Sequence, residues 1–188
     1  TFTVLYNGSA TPPTDAGTYQ VSISGSGDNC YRSFTALRDE SWTFTISPAS
    51  VTPPAAVTGL VYNGETQTGV ELPENALFTL TGNTAKNAGE YTATSSLLSK
   101  RNYVWSDGTS DDKRIEWSIA RASVTPPAAV TGLVYNGETQ TGVVLPENAL
   151  FTLTGNTAKN AGEYTATASL LSKQNYVWAD GTSDDKQI

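Results

Sequence analysis

Residues 50–115 recur almost verbatim as residues 123–188, 73 positions further on. Five of the 66 aligned positions differ: Glu71/Val144, Ser95/Ala168, Arg101/Gln174, Ser106/Ala179 and Arg114/Gln187. A chain that repeats itself so closely must fold as similar units, each closing its own interior or sharing one with its neighbour. Catalysis needs one constellation built once, whereas a spacer or a multivalent binder gains from copying a unit. The period divides the chain into a diverged, N-truncated module over 1–48, a module over 49–121, and a module over 122–188 that lacks its last strand. A unit of this length buries only a thin core, so contact with the adjoining unit adds to its stability.

Net charge is −7 and the isoelectric point about 4.5. A phosphate backbone is repelled by such a chain, which argues against nucleic acid. Anionic membrane surfaces are disfavoured for the same reason. There is no polybasic cluster and no apolar run long enough to span a bilayer. The chain has no His, which removes imidazole general-base chemistry and His-based metal sites. Its single Cys, Cys30, has no partner for an internal disulfide and no cationic cluster beyond Arg32, so it reads as an inert thiol rather than a reactive or dimerising one. With no Met and no visible signal peptide, the chain reads as a piece of something longer.

Period-2 alternation and turn residues dominate, and no long window carries a helical period. The double Pro after Ser50-Val51-Thr52 and after Ser123-Val124-Thr125 blocks helix. Val57 to Tyr62 is a β-rich run closed by Asn63-Gly64, a tight-turn signal. Leu77 to Thr81 reads as the next strand. In the segment from Asn87 to Ser95, Tyr91, Ala93 and Ser95 share one face, and Glu90, Thr92 and Thr94 the other. Tyr103-Val104-Trp105 leads to an acidic turn over 107–112, and Ile115, Trp117 and Ile119 alternate with polar residues in a closing strand. The expectation is an all-β chain of short strands.

Residues 1–48 repeat the pattern loosely. Asp15-Ala16-Gly17-Thr18-Tyr19 matches Asn87 to Tyr91, Tyr31 falls where Tyr103 does, and Trp42 to Ile46 matches the closing strand. Thr1 to Val4 matches the strand around Phe78, which leaves the first module without its N-terminal strands; aligning Tyr6-Asn7-Gly8 on Tyr62-Asn63-Gly64 instead makes it short but complete. In the last module the counterpart of Glu116 to Ile119 is missing, which leaves an unpaired edge open to strand pairing with a neighbouring molecule. The short Pro-containing connections predict restricted joints and an extended rod.

Asp15 to Tyr19, echoed as Asn87 to Tyr91 and Asn160 to Tyr164, resembles the tyrosine corner of immunoglobulin-like sandwiches. The Cys expected two residues later is replaced by Val21, Ala93 and Ala166. Tyr62-Asn63-Gly64, Asn102-Tyr103 and the closing strand from Trp42 to Ala49 extend the likeness. In this order and three times over, the motifs resemble the bacterial Ig-like repeats called MBG domains, found in large surface proteins and adhesins. The resemblance covers essentially the whole chain. It implies tandem immunoglobulin-like β-sandwich modules arranged end to end, an extracellular location at the bacterial cell surface, and no catalytic residues.

Each candidate for chemistry has a plainer reading. Asp107, Asp111, Asp112 and their counterparts Asp180, Asp184, Asp185 could hold Ca²⁺ through carboxylate oxygens, but they lack EF-hand spacing, and the favoured reading is a solvated acidic turn that blunts a sheet edge. No cofactor is expected. Trp105 and Trp178 either stack on a sugar ring or fill the core, and the usual burial of Trp favours the core. Modules of this type often carry Lys–Asn isopeptide bonds, but Lys86, Lys100 and Lys113 fall in expected loops. Glu71 and Glu74 could imitate a glycosidase pair, yet Glu71 is Val144 in the sister copy, and no Gly-x-Ser-x-Gly elbow is present. The residues expected to matter are structural: Tyr19, Tyr91, Tyr164, Trp42, Trp117 and Ile119, with both Trp in the core. Differences between copies read as drift on exposed faces. The expected function is a non-catalytic stalk or spacer in adhesion or display; the alternative is a glycan- or protein-binding module using loops at one end.

Overall fold

The fold was analysed in a computed structural model that describes residues 1–27 and 32–188; the positions read above as an inert thiol, Cys30, and as a Tyr103 counterpart, Tyr31, lie outside the described residues. The described residues form strands, turns and irregular segments, with no helix among them. The first copy supplies β1 (Phe2–Tyr6), β2 (Gly17–Gly25), β3 (Phe34–Leu37) and β4 (Thr43–Ile46). The second supplies β5 (Ala49–Val51), β6 (Gln67–Thr68), β7 (Phe78–Thr81), β8 (Thr84–Ala85), β9 (Gly89–Leu97), β10 (Tyr103–Trp105) and β11 (Lys113–Ile119). The third supplies β12 (Ala122–Val124), β13 (Gln140–Thr141), β14 (Phe151–Thr154), β15 (Thr157–Ala158), β16 (Thr167–Leu170), β17 (Tyr176–Trp178) and β18 (Lys186–Gln187). The fold is all-β and sandwich-like.

Contacts gather these strands into two compact units that cut across the sequence repeat. One comprises Thr1–Pro54, Leu72–Thr81 and Thr94–Arg114; the other Ala55–Glu71, Gly82–Ala93 and Ile115–Ile188. In the first unit β5 lies parallel to β10, with Val51 opposite Trp105. There Val51, Phe78, Leu97 and Trp105 form one buried cluster, edged by Ala76, Leu80 and Tyr103. In the second unit β12 lies parallel to β17 in the same register, and Val124, Phe151, Ala168, Leu170 and Trp178 form the equivalent cluster. Each interior thus includes a Val from the segment that opens its copy and a Trp from some fifty residues on, so a short parallel pair closes each copy.

Trp105 and Trp178 are fully buried. Their indole N–H groups donate to the carbonyls of Asp111 and Asp184 at 2.7 Å in both cases. Stacking on an exposed sugar is therefore ruled out for both; the acidic turn wraps around the indole to satisfy its one donor.

The first copy departs from its sisters. β1 pairs antiparallel with β2, Phe2 opposite Gly25 and Tyr6 opposite Val21. β7 pairs with β9 with Phe78 opposite Leu97. With Tyr19 superposed on Tyr91, Gly25 falls at Leu97, so β1 occupies the place of β7. Yet Phe2 is 77% exposed where Phe78 is 7% exposed: the position of Trp105 is taken by Ser33, and the ring beside Phe2 is that of Phe34, 6.1 Å away. Trp42 also differs from expectation. It precedes β4, is 41% exposed and belongs to no core. Phe44 takes the position of Trp117 and sits opposite Tyr19, with ring centroids 6.1 Å apart. Trp42 contributes its backbone instead: its carbonyl accepts from the Val21 N–H at 2.7 Å and from Gln20 Nε2 at 3.0 Å.

Val57 to Tyr62 does not form a ladder strand. It makes a single bridge, Val61 with Ala120, next to another between Ala56 and Val70. Gly59 at φ +76° breaks the extended path. Asn63 turns the chain by accepting the Glu65 N–H at 2.9 Å, an Asx turn. The β6–β8 and β13–β15 hairpins, two residues per strand, are too short to leave an alternation pattern.

On β9, Ala93, Ser95 and Leu97 face the interior as the alternation predicts. The Ser95 hydroxyl is buried with no hydrogen-bond partner, and its counterpart Ala168 is equally buried. A buried hydroxyl without a partner costs about 1–3 kcal/mol. Ser95→Ala is accordingly expected to raise stability by about 1 kcal/mol, read as an increase in the urea midpoint at unchanged slope.

Candidate functional site

The three corner tyrosines all fold back on the chain. Tyr19, Tyr91 and Tyr164 donate their hydroxyls to the carbonyls of Asp15, Asn87 and Asn160 at 2.8, 2.7 and 3.0 Å. Each bond spans four residues, so the phenol pins the turn that begins β2 and β9. What this turn presents is the next copy's docking point.

In the first unit the Asn102 side chain grips the turn at Asp15-Ala16. Its Oδ1 accepts the Ala16 N–H at 2.7 Å and its Nδ2 donates to Asp15 Oδ1 at 2.9 Å. The Asn102 carbonyl accepts the N–H of Ala49, which opens β5, at 2.8 Å. Arg101 adds Nε to the Ala16 carbonyl at 2.8 Å, one guanidinium nitrogen to the Tyr19 hydroxyl at 3.2 Å, and an ion pair to Asp15 at 3.4 Å. The second unit repeats the device. Asn175 Oδ1 accepts the Ala88 N–H at 2.9 Å, its Nδ2 donates to Asn87 Oδ1 at 3.2 Å, and its carbonyl accepts the Ala122 N–H at 2.8 Å. Tyr176 meets Tyr62 edge to face at 5.4 Å, and burial pushes the Tyr176 phenol up from its ordinary value.

The magnitudes rank these contacts. Ala16 and Ala88 are each 5% exposed, so their amides would stand unsatisfied without the Asn, a cost of about 1–3 kcal/mol. The Arg101–Asp15 pair has both side chains more than half exposed and contributes at most about 1 kcal/mol. The Asn is the anchor and Arg101 an addition. Arg101/Gln174 is therefore not drift on a free surface. Where the preceding turn carries Asp15 the docking residue is Arg101, and where it carries Asn87 the residue is Gln174. The remaining differences, Glu71/Val144, Ser106/Ala179 and Arg114/Gln187, are exposed, and Ser95/Ala168 is buried. The Asn-Tyr motif does not by itself reveal the role of Asn102 and Asn175. Their partners lie 86 and 87 residues away, beyond any local pattern.

The acidic turns satisfy themselves. Asp107 pairs with Lys113 at 2.5 Å and accepts the Thr109 hydroxyl and N–H; Asp180 does the same with Lys186 and Thr182. Asp112 and Asp185 pair with Lys100 and Lys173 at 3.0 Å. The Lys113 ammonium, followed by Thr109, holds the Asp107 carboxyl well below the ordinary range, and Lys186 does so for Asp180. Lys100 and Lys173 lower Asp112 and Asp185 in the same way. Lys113 opens β11 and is not a loop residue as expected, because alternation places it beside the turn it neutralises. Asp111 and Asp184 contribute their carbonyls to the indoles. No group of three or more acidic, Cys or His side chains suited to a metal occurs among the described residues, and the carboxylates of Asp107, Asp112, Asp180 and Asp185 pair with lysines.

Trp117 and Ile119 are buried, at 5% and 2% exposure. The Trp117 ring stacks on Tyr91 at 4.7 Å and 29°, and its N–H donates to the Gly82 carbonyl at 3.1 Å. Tyr164, whose sequence context matches that of Tyr91, is 56% exposed. Comparison with protein-family models, with curated proteins and with solved structures finds no match.

Proposed function

We propose that this chain is a non-catalytic repeat region, tandem immunoglobulin-like modules of the MBG type, that serves as a stalk or spacer in a bacterial cell-surface protein. The observation that carries the reading is the joint made twice by the same residue. Asn102 and Asn175 each hold a buried amide of the preceding copy's corner, Ala16 and Ala88. A spacer needs such a fixed joint, whereas a module that binds through end loops has no use for it. Sealed indoles and lysine-paired carboxylates likewise favour support over recognition, since neither Trp105 nor Trp178 offers a ring face to a glycan.

Asn102→Ala and Asn175→Ala test the joint in the whole chain. Amide exchange at Ala16 or Ala88 is expected to quicken by about tenfold or more, following the loss of a bond to a buried N–H, while exchange at Trp105 and Trp178 stays unchanged. Unaltered exchange at both alanines would show that Asn102 and Asn175 do not hold these turns. Reproducible capture of the chain on an array of host glycans or matrix proteins would replace the spacer reading with the adhesin alternative.

A further inference from the structure

The two joints share one plan and differ in one residue. Asn102 and Asn175 grip the corners at Ala16 and Ala88 through the same pair of side-chain bonds. The residue before the grip is Arg101 in the first joint and Gln174 in the second. The corners differ in step with it. From Thr14 to Tyr19 the first corner has one ionised side chain, Asp15. From Lys86 to Tyr91 the second has two of opposite sign, Lys86 and Glu90, and Asn87 stands where Asp15 does. The cation therefore goes to the corner with a net negative charge, and the neutral amide to the corner whose charges cancel. The Arg101 guanidinium is also fixed by geometry. The Ala16 carbonyl accepts from Nε at 2.8 Å and the Tyr19 hydroxyl accepts from one terminal nitrogen at 3.2 Å. The other terminal nitrogen lies 3.4 Å from Asp15 Oδ2, while Asp15 Oδ1 accepts from Asn102. The two carboxylate oxygens are thus divided between the arginine and the grip.

We propose that Asp15 and Arg101 are a selectivity pair that sets which copy docks on which corner, with Asn87 and Gln174 as its neutral counterpart. Near-identical neighbours in one chain are prone to misassembly, and here the gripping Asn is followed by Tyr in both copies. The grip alone does not tell one corner from the other. Selectivity is a difference between right and wrong pairings, and an exposed ion pair that adds little stability still supplies a difference. With the partners exchanged, Asp15 would lose its guanidinium in one joint. In the other, Arg would meet Asn87, next in the chain to the cation Lys86, with no carboxylate at the Asp15 position. Each exchange leaves a charge without a partner. This inference rests on the joint that the spacer reading uses, and the joint can stand without it.

Amide exchange at Ala16 and Ala88 in the whole chain reads the pairing at each joint. Asp15→Asn keeps an acceptor for Asn102 and the carbonyl for Tyr19 and removes only the charge; Arg101→Gln removes the guanidinium. Asp15→Asn is expected to quicken exchange at Ala16 by about threefold to fivefold, the upper range for an exposed ion pair. Arg101→Gln should do at least as much, and the two together no more than Arg101→Gln alone, because they remove one shared contact. In about 1 M salt the effect of Asp15→Asn should vanish, while that of Asn102→Ala persists. At the second joint Gln174→Arg together with Asn87→Asp should slow exchange at Ala88 by about threefold, and Gln174→Arg alone should not slow it. Effects of Asp15→Asn and Arg101→Gln that multiply, an Asp15→Asn effect that survives the salt, or an Ala88 amide slowed equally by Gln174→Arg with and without Asn87→Asp overturns the proposal. Asn102→Ala and Asn175→Ala decide the joint itself, so failure of the charge pairing and failure of the joint give different results.

Discussion

Gly69→Ala is expected to destabilise the protein by about 3 kcal/mol or more, whereas Gly142→Ala in the sister copy should change stability by less than about 1 kcal/mol. The two glycines occupy the same place in near-identical sequence. At Gly69 a Cβ falls inside the ring of Trp117, which is held below by Tyr91 and through its N–H by the Gly82 carbonyl. The ring must leave its slot or the backbone must move, and either breaks a stacked pair and a hydrogen bond together. At Gly142 the nearest atom lies 3.8 Å away, an ordinary contact, and the loss of backbone entropy in the unfolded chain favours Ala slightly. Urea unfolding of the two variants side by side checks this, and equal effects would mean that Trp117 does not occupy the slot.

Trp105→Ala should cost about 3–5 kcal/mol, the usual range for deleting a large buried aromatic. Total stability of a small domain is about 5–15 kcal/mol, so the variant should sit close to unfolding. The indole belongs to a cluster whose other buried members are Val51, Phe78 and Leu97, and its ring lies 5.8 Å from that of Phe78. Loss of the indole also frees the Asp111 carbonyl and loosens the acidic turn. Amide protection at Phe78 and Leu97 should fall by several orders of magnitude, and Trp105→Phe should recover part of it. Trp178→Ala is expected to do the same at Phe151 and Leu170, whose cluster has the same composition apart from the added Ala168. A Trp105→Ala protein with unchanged protection would show that the parallel pairing of β5 with β10 closes the interior without the ring.

Much of this was legible along the chain because it is local. Alternation over Tyr91, Ala93 and Ser95 places β9 and its inner face. The corner needs only a Tyr and a carbonyl four residues back, so three occurrences of the motif gave three equivalent bonds. Trp117 and Ile119 lie on the apolar face of one alternating strand and are buried there. Trp42 carries the same pattern and is exposed: it precedes β4, and Phe44 is the residue that pairs with Tyr19 in the place of Trp117. Lys113 reads as a loop residue by composition and becomes the first residue of β11 by pairing.

The sequence by itself determined the repeat, the all-β character, the corner bonds and the aromatic content of the two interiors, since period, turn chemistry and hydrophobicity act over a few residues. Only the tertiary structure decided that Asn102 and Asn175 hold the preceding corner, that Phe44 rather than Trp42 faces Tyr19, and that Gly69 lies under the ring of Trp117. The partners of these groups lie far away in the chain, so no local pattern carries them.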